Sequence, residues 1–147
     1  MINTSCKILF IIAASVMSLA AYGQGRRTVA YHDSRLNQTM RIEVYDYDFV
    51  DEQPHFPGGD KAMVKFINEH RRYPADAYLN RVEGRVLCSF VVNADGEISH
   101  VRVLRGVEPS LNAEAVRVIN EMPRWRPGKV DDATVPVFCI LPIPFRL

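Results

Sequence analysis

The chain has 147 residues, and its 18 lysines and arginines against 17 aspartates and glutamates give a formal net charge of +1. A charge this evenly balanced argues against nucleic acid or an anionic membrane surface as the partner, because both select a basic excess. The length is enough for one domain with a modest hydrophobic core.

The first residues have the pattern of a secretory signal peptide. Lys7 precedes an almost unbroken apolar run over 8–22, and small residues then favour cleavage between Gly23 and Gln24. The alternative is an inner-membrane anchor by an uncleaved signal. Because the run is short for a membrane span, which needs about 20 residues, cleavage is favoured. The predicted organisation is a signal peptide over 1–23, a leader with an extended segment over 24–50, and one domain over 51–147.

Helical periodicity predicts two main helices. The first begins at a candidate N-cap, Asp60, and ends before Pro74, which itself opens a short helix over 75–79. Its apolar stripe repeats at i, i+3, i+4 and i+7 and consists of Met63, Phe66, Ile67 and His70. The second main helix is predicted from an N-cap at Asn112 to Pro123.

Period-two alternation predicts three strands. The first two form a hairpin over 84–106 with a turn at 93–96. In the return strand the apolar residues change parity, so we expect a bulge near Ser99 and His100. The last strand is predicted over 135–147.

These elements predict an α+β fold. A crossover through the second main helix makes the last strand parallel to the second, so the last strand pairs antiparallel with the first. The expected architecture is a three-stranded antiparallel sheet in the order 2-1-3. Both main helices should pack on one face, which the first strand presents through Val86, Cys88 and Phe90.

No catalytic, cofactor-binding or metal-binding residues are predicted. The four histidines are scattered singly, and the sequence has no Cys-x-x-Cys motif and no nucleotide-binding loop. Ser99 and His100 are neighbours on a strand, so they should face opposite ways and fail to form a nucleophile–base pair. The sequence therefore predicts a protein that is not an enzyme. Cys88 and Cys139 are predicted to be free thiols that pack as small apolar groups.

Several short motifs follow one another along the chain, and each is weak alone. They are His55-Phe56-Pro57-Gly58-Gly59, Tyr73-Pro74, Gly84-Arg85-Val86, Phe90-Val91-Val92, Asp95-Gly96, Met122-Pro123-Arg124-Trp125-Arg126-Pro127-Gly128 and Val135-Pro136-Val137. As an ordered set they resemble the C-terminal domain of the TonB family, in the form common among Bacteroidetes. The resemblance covers roughly 51–147.

This resemblance implies a periplasmic domain that binds a short extended segment, the TonB box, of TonB-dependent outer-membrane transporters. The box adds as a strand beside the domain's last strand. A full transducer also has a membrane anchor and a long Pro-rich linker, whereas 24–50 is too short to cross the periplasm and is not rich in proline. The resemblance therefore implies peptide binding, with a link to energy-coupled transport as a further implication.

The resemblance places Tyr73 and Pro74 near the bound box, and for Tyr73 both contact with the partner and packing in the domain remain open. Arg71 and Arg72 could meet an acidic partner, although positive charge at a helix C-terminus is commonly a solvated cap. Trp125 is predicted to pack over a helix end rather than to contact a ligand.

The prolines of the last strand predict where a partner docks. Pro136, Pro142 and Pro144 share one parity, so their missing N–H groups all lie on one edge of the strand. That edge should be unpaired, with Phe138 and Ile140 as its only donors between the first two prolines. The predicted function is recognition of a transporter box at Phe138 and Ile140. The alternative is a self-associating, homodimeric structural protein that uses the same edge.

Overall fold

The computed structural model describes residues 25–147, and the predicted signal peptide lies outside this range. Within it, no helix is both long and apolar enough to cross a membrane. The described helices are α1 (Asp60–His70), α2 (Ala75–Leu79) and α3 (Pro109–Asn120). The described strands are β1 (Arg26–Asp33), β2 (Gln38–Asp46), β3 (Gly84–Val92), β4 (Ile98–Arg105), β5 (Gly128–Val130), β6 (Ala133–Val135) and β7 (Val137–Phe145).

The main sheet has five strands in the order β1-β2-β7-β3-β4, so the prediction of a three-stranded sheet was wrong. The mixed α+β class was predicted correctly. The two additional strands come from the segment interpreted as a leader, where β1 and β2 form an antiparallel hairpin. Strand β2 then pairs in parallel with the beginning of β7. Strands β5 and β6 form a separate two-stranded ribbon.

The antiparallel pairing of β3 with β7 is unbroken, from Gly84 opposite Phe145 to Val92 opposite Val137. The pairing of β3 with β4 is irregular, and the predicted bulge is confirmed by a register shift between Ser89 and Val91 on β3. On β4 the bulge brings His100 into the left-handed region, with φ of 53°. This conformation is uncommon for a residue with a side chain, so the bulge costs some backbone strain.

The hydrophobic core lies between the sheet and the main helices, on the face predicted from β3. Val86, Cys88 and Phe90 have no exposed surface there. Helix α3 contributes the largest helical share of the core, through Leu111, Ala115, Val118 and Ile119. Strand β7 contributes its odd-numbered residues Val137, Cys139, Ile143 and Phe145. The even-numbered residues of β7 therefore face the opposite side of the sheet.

The N-terminal hairpin contacts that opposite, helix-free face. The Arg27 guanidinium lies 4.5 Å from the centroid of the Phe138 ring, and the Tyr31 ring meets His100 edge-on at 4.3 Å. On the same face Val91 is fully buried although it is outside the main core. The segment over 26–46 is thus packed on the domain.

The turn between β3 and β4 requires glycine at Gly96. Its φ is 86°, and a Cβ there would lie 2.1 Å from the carbonyl oxygen of Trp125. The same two residues are joined by a hydrogen bond in which the Trp125 N–H donates to the Gly96 carbonyl at 2.9 Å. Glycine alone combines this conformation with this contact, so the turn is tied to the segment after α3.

Both predicted N-caps of the main helices were wrong. Helix α3 begins at Pro109, and its cap is Glu108, whose side chain accepts from the N–H groups of Ser110 and Leu111. The predicted cap, Asn112, accepts instead from the Val107 N–H at 2.9 Å. Helix α1 has Gly59 at its N-cap position, and Asp60 is its first residue.

The Glu108 cap predicts a pH-dependent contribution to stability. The Ser110 hydroxyl, by its hydrogen bond, is the main cause that holds the pKa of Glu108 below its usual value of 4.5. A carboxyl with a depressed folded-state pKa stabilises the fold above its unfolded-state pKa, and this stabilisation is lost as the pH falls through the folded-state pKa. We expect Glu108→Gln to lower the free energy of unfolding at neutral pH and to match the unsubstituted protein in acid. Urea denaturation at several pH values tests this. A difference in the free energy of unfolding between the two proteins that stays constant with pH would contradict it.

The register between β3 and β7 also explains why Cys88 and Cys139 do not lie opposite each other. Phe90 lies opposite Cys139, and Cys88 lies opposite Leu141, so the two thiols are offset along the sheet. Both cysteines are buried, and no disulfide joins Cys88 to Cys139. Burial raises the pKa of Cys88 to about 11, so this thiol stays protonated and unreactive at neutral pH.

Candidate functional site

The outer edge of β7 presents its even-numbered backbone groups away from β3. Two hydrogen bonds fix this direction: the Pro136 carbonyl accepts from the Tyr45 N–H at 2.9 Å, and the Pro144 carbonyl accepts from the Arg71 side chain. Because the register between β3 and β7 has no bulge, the N–H and C=O of Ile140 point to the same outer side.

Strand β2 covers the beginning of this edge. It pairs Tyr45 with Val137 and Asp46 with Phe138, and then the chain turns away at the 3-10 turn Tyr47–Phe49. The expectation that the whole edge is unpaired was therefore wrong, because β7 has β2 as a neighbour at its start. Phe138 is occupied by the chain itself, and the open stretch of the edge starts at Ile140.

The side chain of Phe138 is also covered. The Arg27 guanidinium that lies over its ring forms an ion pair with Asp46. Burial raises the pKa of the Asp46 carboxyl, and the positive charge of Arg27 opposes that shift. The start of the edge is consequently held by one main-chain pairing and one cation–π contact, which together connect β1, β2 and β7.

Arg71 marks the other end of the open stretch. Its side chain donates to the Pro144 carbonyl and lies 5.7 Å from the centroid of the Phe145 ring. Between Phe138 and Pro144 the strand covers six residues, or roughly 20 Å at 3.4 Å per residue. Within this interval the outer side offers the N–H of Ile140 and the carbonyls of Ile140 and Pro142 to an added strand.

A groove of about 390 Å³ lies beside this open stretch. Helix α1 contributes Val64 and Asn68 to it, Arg71 follows directly after α1, and the sheet contributes Pro142 and Pro144. The guanidinium-bearing residues Arg85 and Arg146 complete the lining. The groove thus combines apolar surface with three positive charges next to unpaired main-chain groups.

Tyr73 and Pro74 have structural contacts in the domain. The Tyr73 hydroxyl donates to the Val82 carbonyl, and its ring meets the Phe145 ring edge-on at 5.8 Å. Pro74 is the N-cap residue of α2, and its carbonyl accepts from the Tyr78 N–H at 2.9 Å. Packing therefore accounts for the Tyr73 side chain, while its contact with a partner stays a prediction.

Arg72 and Trp125 also have structural positions. The backbone N–H of Arg72 donates to a Glu114 carboxylate oxygen at 2.7 Å and so links the end of α1 to α3. Trp125 is 8% exposed, and its ring meets Phe90 at 5.4 Å and Phe56 at 6.0 Å. The predicted packing role of Trp125 is confirmed.

Ser99 and His100 do not face opposite ways, and the prediction that they would was wrong. The Ser99 hydroxyl lies 2.7 Å from His100 Nδ1 and 3.2 Å from Asn93 Oδ1. The left-handed backbone at His100 breaks the alternation that a regular strand imposes. Burial and then the charge of Arg102 lower the pKa of His100, which favours the neutral imidazole. The contacts connect the β3–β4 turn to the bulge.

The structure brings together several residues at this edge that no sequence pattern gave reason to select. Arg27 and the groove residues Arg85 and Arg146 were not selected, because they are far apart in sequence and ordinary as single surface charges. Among residues 25–147, no group of three or more His, Cys, Asp or Glu side chains is arranged to hold a metal ion.

Comparison with known proteins finds similarity to TonB proteins. The family described as the Gram-negative bacterial TonB protein C-terminal matches residues 69–147. Protein TonB of Haemophilus influenzae is 38% identical over 60 residues, which is 40% of this chain and 22% of that protein. The chain thus spans less than a quarter of the length of this relative.

Two solution structures of the Helicobacter pylori TonB C-terminal domain are also similar. The first has a TM-score of 0.46 and 27% sequence identity, over 62% of this chain and 86% of that chain. The second, of a shorter fragment, has a TM-score of 0.44 and 28% identity, over 58% of this chain and 89% of that chain.

Proposed function

Because this chain belongs to the TonB C-terminal family, we propose that it is a periplasmic module that binds an extended segment of TonB-dependent outer-membrane transporters by strand addition. The observation that carries the proposal is the stretch of β7 after Phe138, where main-chain groups face outward and no strand within residues 25–147 lies beside them. Such an edge is a template for an added strand.

Strand addition divides affinity and specificity between two kinds of contact. The main chain of the partner would exchange hydrogen bonds with Ile140 and donate to the carbonyl of Pro142. Its alternate side chains would reach α1 on one face and Arg85 on the other. Main-chain bonds supply sequence-independent affinity, and the side-chain contacts choose among partners.

Strand β2 competes with a partner that extends to Phe138. Only two residue pairs join β2 to β7, whereas eight pairs join β1 to β2. The hairpin can therefore leave β7 as a unit without losing its own ladder. A partner that registers on Phe138 has to displace β2, and this displacement subtracts from the affinity.

Tyr45→Pro tests this competition. The Tyr45 N–H donates to Pro136, so proline removes a bond between β2 and β7 without removing a donor from the β1–β2 ladder. We expect it to raise the affinity for a transporter segment severalfold, because the displacement becomes less costly. Tyr45→Ala is the matched control, since it removes the same side chain and keeps the N–H. Equal affinities for the two variants in calorimetric titration would show that β2 does not compete.

The proposed location follows from the family and from the predicted signal peptide. A domain that meets outer-membrane transporters works in the periplasm, and cleavage after Gly23 would release it there in soluble form. Its binding could be linked to energy-coupled transport or could occupy transporters without transmitting force. We propose the binding function itself and no enzymatic activity.

The direct experiment is a titration of the protein with synthetic N-terminal segments of transporters from its own organism. NMR of the labelled protein should show saturable shifts, largest for the amides of Ile140, Leu141 and Ile143. Shifts confined to residues of β3 and β4, or no saturable binding by any segment, would contradict strand addition at β7.

Self-association is the second candidate, and the exposed edge of β1 favours it. Strand β1 is eight residues long and lies at one end of the sheet. An unpaired edge of this length can pair with a second copy. Sedimentation velocity over a wide concentration range distinguishes the candidates: a concentration-dependent dimer that transporter segments do not dissociate would support self-association through β1.

A further inference from the structure

We propose that the end of the domain beside helix α2 binds to the surface of an anionic phospholipid membrane. This α2 end consists of residues 78–85, 104–107 and 145–147, where α2 ends, β3 begins and β4 and β7 finish. The proposal does not depend on strand addition, because the open stretch of β7 between Phe138 and Pro144 lies outside these residues.

Large apolar side chains are exposed at the α2 end. Leu79 is 77% exposed, the highest value of any large apolar residue within 25–147, and its neighbour Tyr78 is 60% exposed. Val107, in the loop after β4, is exposed as well. A single exposed apolar residue is ordinary on a protein surface, whereas a group of them at one end marks a surface that binds a partner.

Two contacts bring these apolar residues to the same place. The Val82 N–H donates to the Ala77 carbonyl at 2.9 Å, which holds the end of α2 beside the start of β3. The Val107 side chain lies against Gly84, where an added Cβ would stand 2.7 Å from Val107 Cγ2. The exposed residues of α2 and of the loop after β4 therefore surround the first residues of β3.

The side-chain charge around these residues is positive. The α2 end contains four arginines, all exposed, and one side-chain carboxylate, that of Glu83; the arginines are Arg81, Arg85, Arg105 and Arg146. Glu83 accepts from the Leu147 N–H at 2.6 Å. Across residues 25–147, no carboxylate lies within 4 Å of the four guanidiniums. The formal net charge of +1 for the whole chain therefore conceals a local positive excess at this end.

This combination of side chains fits the interface of an anionic bilayer. Leucine and valine can enter the acyl-chain boundary, and tyrosine places its ring there while its hydroxyl stays in water. Arginines around them would contact lipid phosphates, which supply the complementary charge. An acidic protein would complement the arginines alone, whereas the exposed Leu79 favours a partner that also accepts apolar side chains.

The geometry is compatible with a partner bound at β7. Strand β3 begins and β7 finishes at the α2 end, so both strands run away from it into the domain. A membrane at this end would leave Ile140, in the middle of β7, accessible to an added strand.

Cosedimentation with vesicles tests the proposal. One set contains phosphatidylcholine alone, and the other contains phosphatidylglycerol at roughly 30%. A basic side chain near an anionic surface contributes about fivefold in affinity. We expect at least about tenfold stronger partitioning to the phosphatidylglycerol vesicles at low salt, with the preference reduced in about 500 mM salt. The apolar run over 8–22 is common to every variant, so differences between variants report the α2 end.

The variant Leu79→Ser/Arg81→Gln should weaken partitioning to phosphatidylglycerol vesicles by at least about tenfold. Leu36→Ser/Arg35→Gln is the matched control, because it also removes one exposed leucine and one exposed arginine, at the turn between β1 and β2. The control should partition like the unsubstituted protein, and both variants should bind transporter segments as it does.

Equal partitioning to the two kinds of vesicle, no binding to either, or an equal loss in the control would overturn the proposal. Retention of the unsubstituted protein on soluble poly-glutamate without vesicle binding would assign the α2 end to an acidic protein, and would also overturn it. A loss of transporter-segment binding in Leu79→Ser/Arg81→Gln would make this end part of the segment site instead. Strand addition is measured separately, by the binding of transporter segments to the unsubstituted protein, so it can stand or fail without the membrane proposal.

Discussion

Replacement of Phe90 by alanine is expected to lower the free energy of unfolding by about 3–5 kcal/mol, the cost of truncating a fully buried aromatic side chain. Phe90 has no exposed surface, lies on β3 between β7 and β4, and contacts the Trp125 ring at 5.4 Å. The cavity would therefore open between the sheet and the residues after α3. Small domains have roughly 5–15 kcal/mol of stability in total, so much of the cooperative transition should be lost.

Urea denaturation followed by circular dichroism measures this effect. Leu104→Ala is the matched control, because Leu104 is 45% exposed on the neighbouring strand β4. Its cost should stay near the small values typical of surface substitutions. A loss below about 1 kcal/mol for Phe90→Ala would show that the core is not built on β3.

Ile140→Pro is expected to reduce binding of a transporter segment by at least about tenfold, a change of about 1.4 kcal/mol. It removes the N–H that the open stretch offers between two prolines, and the proline ring would stand where the partner strand approaches. The cost to the fold should be small, because this N–H points away from β3 and β2 no longer pairs beyond Phe138.

Two measurements make this result interpretable. Ile140→Ala removes the half-buried side chain and keeps the N–H, so it should bind far better than the proline variant. Urea denaturation must show that Ile140→Pro is folded. Unchanged affinity in a folded Ile140→Pro protein would place the partner elsewhere on the domain.

The elements that sequence reasoning found are those that bury one face. Alternation along β3 and the stripes of α1 and α3 each separate apolar from polar residues, and the structure places them against one core. The short helix α2 was predicted within its observed bounds because Pro74 marks its start. The parity of the prolines in β7 was likewise readable, since a proline's missing donor depends only on its position in the strand.

The elements that sequence reasoning missed do not separate apolar from polar residues on two faces. Strand β1 alternates exposed and half-buried residues with polar side chains on both faces, so no apolar face marks it as a strand in the sequence. The cap of α3 is a glutamate, a residue type that N-cap preferences do not favour, whereas Asn112 fits them and makes a different bond. Arg85 and Arg146 line one groove only because β3 and the residue after β7 meet there, which no local pattern reveals.

Hydrogen exchange of the Ile140 amide tests the central claim, strand addition at the open edge of β7, most directly. In the free protein this N–H faces outward, so it should exchange much faster than the neighbouring amides of Cys139 and Leu141, which pair with β3. Saturation with a transporter segment should slow exchange at Ile140 while Cys139 and Leu141 change little. An Ile140 amide that is protected in the free protein, or that exchanges equally fast in the saturated complex, would contradict the account.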